Sequence, residues 1–367
     1  MVDRLEKLRT TISKADKGIE IGPWCNPIAS KSQGYNCSVL DVFSTAQLKE
    51  NARKDSGIPT ELAEGIEEVD FVGSSADIAE LVDARGELGT FGYIISSHNF
   101  EHIPDPIKFF QGCQKVLSPG GALIMAIPDK RGCFDYFRPN TSLAEMLQAH
   151  AEGRTRPTPT QVFERLSMHA HLTRDGLDMI GFSLSEDPRF VAPYETLEEA
   201  FSIWRRANNP ENNTYLDTHC WTFTPASFQL IYFDLQFLGF LNMEISSIDT
   251  GENEFFVVLK NRIPDLPKPS RAQFYERRAA LMHRMLNESA EASRAFRLLK
   301  ELHEHVGVTS NLPTRDSHLQ KDLLLLQTQL RNAHKKLEQI ENSRSWRLTS
   351  FLRLTASRLR KLTGQTH

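Results

Sequence analysis

Short apolar runs alternate with amphipathic stretches over the first third of the chain. Residues 18–22 (GIEIG) alternate and end in glycine, a strand feeding a sharp turn; 38–43 (SVLDVF), 69–72 (VDFV) and 91–95 (FGYII) give three more strands. Residues 122–127 (ALIMAI) are almost wholly apolar, as expected of a strand covered on both faces of a parallel sheet. Helix-compatible sequence fills the gaps at 45–54, 75–82 and 105–117. The last carries Ile107, Phe110 and Val116/Leu117 at near-helical spacing before Pro119-Gly120-Gly121 breaks it. Strand alternating with helix in this way predicts an α/β fold over 18–127. Its sheet is doubly wound and mostly parallel, with a nucleotide-binding crevice that starts at the turn Glu20-Ile21-Gly22-Pro23.

The rhythm stops after Pro128. Residues 129–215, with helical pieces at 141–152, 159–167 and 196–206, read as an inserted helical cap over the edge of the sheet where ligands bind. A helix resumes at 224–238, and strands at 241–248 and 253–260 close the sheet as a hairpin, so the first domain is expected to span 1–262. Residues 263–342 read as a proline-punctuated linker followed by helices at 271–303 and 316–342. In the second of these Leu326, Leu330, Ala333, Leu337 and Ile340 are spaced for a short coiled coil, through which the chain would form a homo-oligomer, or equally for a helical hairpin. The tail, 343–367, opens with SRSWRLTSFLRLTASRLRK, in which apolar and basic residues interleave without an acid. This is an amphipathic segment suited to an anionic membrane surface or a protein partner, or to packing on the domain.

The 367 residues carry a formal net charge of -4, which argues against a dedicated nucleic-acid partner. Five scattered cysteines without a CxxC pair fit a reducing compartment. With no membrane-spanning run and no secretory leader, the expected location is cytoplasmic, with the tail allowing peripheral attachment at the inner face of the cell membrane.

At the crevice, Gly22 permits close approach of a ligand to backbone, but Trp24 and Asn26 stand where a dinucleotide motif would place further glycines. A dinucleotide pyrophosphate is therefore disfavoured and a smaller nucleoside cofactor favoured. Glu20 precedes the turn and offers an acceptor to an amide-bearing or positively charged part of the ligand. Asp41, nineteen residues after Gly22, is placed to accept from ribose hydroxyls or to cap the next helix. Asp77, beside Ile78, reads either as an adenine contact or as part of a helix start capped by Ser74 or Ser75. Ser96–His102 crowds polar residues behind a buried strand and reads as crevice lining.

The segments GIEIGP, VLDVF and SHNFEHIPDPIKFFQGCQKVLSPGGALIMAIPD, with the paired terminal strands, resemble the class I S-adenosylmethionine-dependent methyltransferases, whose fold is Rossmann-like. The resemblance implies S-adenosyl-L-methionine as cofactor. It implies that Glu20, Gly22 and Pro23 flank its methionine part, Asp41 holds ribose, Asp77 and Ile78 frame adenine, and Ser97 and His98 line the cofactor side. Glu101 and His102 would then lie near the transferred methyl or the neighbouring helix. Residues 18–40, 128–150 and 217–229 resemble more narrowly the methyltransferases of bacterial surface-polysaccharide biosynthesis, and SRSWRLTSFLR resembles a tail found on glycan-assembly enzymes. These likenesses imply O-methylation of a sugar, a small molecule or a lipid-linked glycan, and a glycan-assembly protein as partner.

A hydroxyl acceptor benefits from a general base near neutrality, and His219, His171 and His102 are the candidates; each also reads as a hydrogen-bonded structural residue. His169 and His171, with Asp217 and His219, could meet around a metal, but the spacing is undistinctive and no metal is expected. Arg131 and Arg138 either hold an acidic group of the substrate or pair with acids in the cap, and Trp221 either walls a sugar face or packs in the core. The rival readings are another nucleotide-cofactor enzyme on this fold and a non-catalytic scaffold acting through the helical tail.

Overall fold

The computed structural model describes residues 4–291 apart from 175–176, 185, 187, 195, 210, 213 and 262–269. Its centre is a seven-stranded sheet. In chain order the strands are β1 (Gly18–Ile21), β2 (Cys37–Asp41), β3 (Phe71–Val72), β4 (Phe91–Ser97), β5 (Leu117–Pro128), and a final hairpin. The spatial order is β3-β2-β1-β4-β5, followed by the two hairpin strands. All pairs among the first five are parallel, and the hairpin is antiparallel to β5. The chain leaves β1 in one direction and returns at β4 to run in the other. The strand order thus reverses between β1 and β4, where a doubly wound sheet opens its ligand crevice.

Helices cover both faces. On one side lie α1 (Arg4–Arg9), which buries Leu8 against the sheet together with Ile28 and Tyr93, and α2 (Thr45–Lys54) and α3 (Thr60–Glu64), which enclose a small cluster with Trp24. The larger core lies on the other face, under α4 (Ile78–Asp83) and α5 (Pro106–Val116). Helix α5 starts sharply because the Asp105 carboxylate accepts the Lys108 amide and Pro106 presets the first turn. It buries Ile107, Phe109, Phe110, Cys113 and Val116. Phe100, Phe110, Phe223 and Phe228 stack at centroid separations of 4.9 to 6.5 Å and lock the loop after β4 to the rest of the core.

The insertion is mixed rather than helical. Besides α6 (Leu143–Glu152), α7 (Pro159–Ser167) and α8 (Leu197–Ala207) it holds a three-stranded antiparallel sheet with β6 (Ala170–Arg174) between β7 (Leu177–Met179) and β8 (Val191–Pro193). These strands are three to five residues long, too short to show a period of two, which is why pattern reading returned helices alone. The expected helix near 224–238 is α9 (Pro225–Phe237), and the expected hairpin is β9 (Glu244–Thr250) with β10 (Glu254–Lys260). Along α10 (Arg271–Glu291), Phe274 stacks on Phe237 at 3.7 Å and the Arg278 guanidinium reaches both oxygens of Asp234, fixing this helix on α9. The coiled-coil seam at 316–342 and the basic tail at 343–367 lie outside the described residues, as does most of the linker. Among the described residues no helix is long and apolar enough to cross a membrane.

Candidate active site

The crevice is assembled at the C-terminal ends of β1, β2 and β4. Gly22, directly after β1, has φ +58°, and a Cβ there would find only Asp41 Oδ2, at 4.0 Å. The Gly22 surface is therefore bare backbone facing a carboxylate, a cradle suited to a nucleoside. Asp41 closes β2, and its Oδ1 accepts the Phe43 amide at 2.9 Å. Burial pushes the Asp41 carboxyl up, against the pull of the Phe43 and Val42 amides. Val42 and Phe43, directly after it, are exposed. They leave a small exposed apolar patch directly after β2. Its sequence signal was the VF of VLDVF, which strand pattern absorbed.

Glu20 is turned toward the backbone of its own loop. It is 3 % exposed, and its two oxygens accept the amides of Ile28 and Ala29 at 2.7 and 2.8 Å. Burial raises its carboxyl while those two amides pull it down. The carboxylate thus shapes the loop that carries Pro23 and Trp24, and Trp24 itself sits at φ +48°. Asp77 pairs with Lys108 of α5, and Ile78 is fully buried under the same helix, its Cγ2 2.9 Å from the Cβ position of Gly112. Ser74, rather than Asp77, caps this turn. Ser97 Oγ receives the guanidinium of Arg4, and the same guanidinium pairs with Glu254 at 2.8 Å. His98, at φ +50°, places Nε2 2.8 Å from the other Glu254 oxygen. The latch from α1 through Arg4 to the end of β4 has no sequence signal, because its members lie 93 and 250 residues apart.

Beyond His98 the loop joins the cap. Glu101 is 1 % exposed and neither carboxylate oxygen has a hydrogen-bond partner; it lies near two ionisable rings, with His219 Nε2 at 3.7 Å and His98 Nδ1 at 3.8 Å. The rings of His102 and His219 meet edge-on, 4.7 Å apart. Each imidazole is held through Nδ1 by its own carboxylate, His102 by Asp217 at 3.0 Å and His219 by Asp135 at 2.5 Å, which leaves both Nε2 atoms for other work. Burial alone would depress His102, but Asp217 and then Glu101 outweigh it and raise its pKa. Burial likewise pushes the Asp135 carboxyl up, yet His219 and Arg138 bring it to about 2. Arg138 donates to Asp135, to Glu164 and to the carbonyl of His219, which ties the segment 217–222 to the cap.

The other expected groups stand apart from this cluster. His171 lies on β6 with its Nε2 3.7 Å from Asp178 and its ring against Tyr194, both cap residues. His169 is pushed down to about 4 by burial and by Arg165. Arg131 clamps Asp129 through two nitrogens, Arg138 is 2 % exposed, and Trp221, also 2 % exposed, donates its indole N–H to the Ile103 carbonyl. Arg131 and Arg138 are thus engaged in bracing, while Trp221 combines its indole bond to Ile103 with a place in a cavity wall. A cavity of about 420 Å³ opens next to Trp221 between α6, α7 and residues 139–141. Its lining is rich in hydroxyls and amides, among them Thr141, Gln148, Thr158, Thr160 and Gln161. Glu164 lines the cavity and holds Arg138, so the cavity wall is linked through Arg138 and Asp135 to His219.

The methyltransferase-domain family matches residues 2–231. Among solved structures, the chain is similar to an S-adenosylmethionine-dependent methyltransferase of Methanosarcina mazei at 13% identity, over 70% of this chain and 97% of that one, with a TM-score of 0.34. It is also similar to one of Aquifex aeolicus at 13% identity, over 71% and 90% of the two chains, with a TM-score of 0.34. No curated protein matches the chain significantly.

Proposed function

Because the chain belongs to the methyltransferase-domain family, we propose that it transfers the methyl group of S-adenosylmethionine to a hydroxyl of a polyhydroxylated acceptor, a sugar or glycan intermediate. The observation that carries the cofactor reading is the bare turn at Gly22 facing the Asp41 carboxylate, with Val42 and Phe43 exposed beside it. When bound, S-adenosylmethionine supplies an electrophilic methyl carbon on a sulfonium. Asp41 accepts from the ribose hydroxyls, the Gly22 backbone passes close to the nucleoside, and Val42 and Phe43 cover the base. The loop behind β4 brings the acceptor side to this crevice. A hydroxyl acceptor would have to give up its proton on methylation, and Glu101, His102 and His219 are the groups gathered there that could accept it. Positioning does the rest, since in-line approach of two held reactants removes most of the entropic barrier.

Support for a sugar acceptor is the mixed lining of the cavity beside Trp221, where threonine hydroxyls and glutamine amides alternate with apolar surface such as the Trp221 ring. Calorimetry with S-adenosylhomocysteine, followed by label transfer from methyl-tritiated S-adenosylmethionine to lipid-linked and free glycan precursors, tests both halves. Saturable binding and label in an alkali-stable ether support the reading. Absence of S-adenosylhomocysteine binding would remove the cofactor assignment, and label found on protein or amine acceptors alone would remove the sugar assignment.

A further inference from the structure

The Glu101–His102–His219 cluster is built unlike a simple general base. Its three ligand-type atoms lie within 4.8 Å of one another. A divalent ion bound at about 2.0–2.2 Å holds its donors roughly 3–4 Å apart, so a shift of under about 1 Å would bring all three onto one ion. The 3.7 Å between Glu101 Oε1 and His219 Nε2 already falls in that range. Two further features point the same way. Glu101 is 1 % exposed and neither oxygen accepts a hydrogen bond, its ionisable contacts being imidazole nitrogens at 3.7 and 3.8 Å, an arrangement costly for a carboxylate unless a cation completes it. Both histidines are oriented through Nδ1 by separate carboxylates, Asp217 and Asp135, the outer arrangement that fixes the tautomer and raises the basicity of a metal-binding imidazole.

We infer that Glu101, His102 and His219 form a binding site for a single divalent transition-metal ion of the kind that accepts two imidazoles and one carboxylate, such as Zn²⁺, Mn²⁺, Fe²⁺ or Co²⁺. The inference replaces the sequence expectation of no metal. It rests on the proposed function only in placing the acceptor oxygen beside the cluster. There the ion takes that oxygen into an open position and acidifies its hydroxyl. The proton leaves to water at the exposed edge of Asp217, and the oxygen's lone pair is left to form the C–O bond. Glu101 and His102 come from the core loop after β4, while His219 comes from the segment that Arg138 ties to the cap, so the site exists only when core and cap are assembled.

Co²⁺ is the probe, because its visible absorption reports imidazole and carboxylate ligation directly. Untagged full-length protein stripped with a chelator is titrated with Co²⁺, with absorption, calorimetry and thermal melting followed together. The expected result is one Co²⁺ per chain, displaced by Zn²⁺ and raising the melting temperature. Affinity should fall at least 100-fold in Glu101→Gln and His219→Ala, fall about 10- to 100-fold in Asp135→Asn, and stay unchanged in His283→Ala on the exposed face of α10. Glu101→Gln is isosteric, and its circular dichroism and melting without metal separate loss of ligation from loss of fold. Should His219→Ala not fold, the Glu101→Gln result decides. No saturable Co²⁺ binding by the wild type, or equal binding by Glu101→Gln, overturns the inference. S-adenosylhomocysteine affinity of the metal-free protein is measured alongside. Its retention without Co²⁺ binding sinks the metal site alone, and its loss with Co²⁺ binding intact sinks the cofactor reading alone.

Discussion

Replacing Glu20 by glutamine separates a residue that shapes the cofactor loop from one that touches the cofactor. The wild-type carboxylate accepts two buried amides, from Ile28 and Ala29, at 2.7 and 2.8 Å. Hydrogen bonds to a charged acceptor contribute about 1.5–3 kcal/mol each. Glutamine keeps one carbonyl oxygen but turns its NH2 toward the second amide, so one bond survives in weaker form and one donor is left facing another. The expected loss is about 2–4 kcal/mol, from one vanished charge-assisted bond together with one weakened bond. For a domain of this size that corresponds to a fall in melting temperature of roughly 5–12 °C. Urea titration and thermal melting measure the stability, and calorimetry with S-adenosylhomocysteine measures the crevice. Binding should weaken only as far as the loop loosens, less than about tenfold, and recover on cooling, because Gly22 and Asp41 keep their own anchors on β1 and β2. Unchanged stability with affinity lost a hundredfold would refute the reasoning and return Glu20 to direct contact with the ligand.

Asp41→Ala should weaken S-adenosylhomocysteine binding about 10- to 1,000-fold, the loss of one or two charge-assisted ribose bonds. Loss of the Phe43 amide bond should lower the melting temperature of the free protein by only about a few degrees, and calorimetry that finds equal affinity would dismiss the ribose assignment. Although burial pushes Glu254 up, its bonds to His98 and Arg4 hold its carboxyl below the ordinary value of 4.5. The stability it contributes is therefore complete above about pH 5 and lost as the folded carboxyl protonates on acidification. Urea midpoints between pH 6 and 3 should fall less steeply in Glu254→Gln than in the wild type, and parallel curves would contradict the latch. Phe274→Ala should remove about 3–5 kcal/mol of packing between α10 and α9, seen as rapid hydrogen exchange across residues 271–291 with the sheet still protected. Thr160→Trp, which narrows the cavity beside Trp221, should raise KM for a glycan acceptor severalfold while leaving S-adenosylhomocysteine affinity intact; an unchanged KM would place the acceptor elsewhere.

The central sheet was legible because its strands are buried on both faces, and double burial writes itself as unbroken apolar runs such as ALIMAI. Gly22 and Asp41 were legible for a related reason, since a turn after one strand and an acid after the next sit at positions the topology fixes. The cap strands were not, because β7 and β8 hold three residues each. Site roles faded wherever burial decides them. Arg138 has a letter suited to an acidic substrate group, and only the fold shows that it is enclosed and paired within the protein. Glu101 is the opposite case. Its letter promises a solvated or hydrogen-bonded acid, and its burial follows from contacts far along the chain, Phe100 stacking on Phe223 and the Cys220 amide donating to the Glu101 carbonyl.

Backbone strain ties these features into one device. Trp24 and His98 are the two residues other than glycine with positive φ among the described residues, and they follow the adjacent strands β1 and β4, one on each side of the crevice. Each conformation costs on the order of 1–3 kcal/mol and persists only where neighbours over-determine it. Those neighbours are visible. Trp24 packs against the α2–α3 cluster while Glu20 grips the chain beyond it, and His98 is held by its amide on the Ala126 carbonyl and its ring on Glu254. A relaxed backbone at His98 would turn the following residues away from the sheet. The left-handed turn instead directs Phe100 into the core, and through it Glu101 and His102 toward His219. The strain at the crevice and the carboxylate without hydrogen bonds behind it are thus consequences of a single demand, that the loop after β4 deliver ionisable groups into the junction between core and cap.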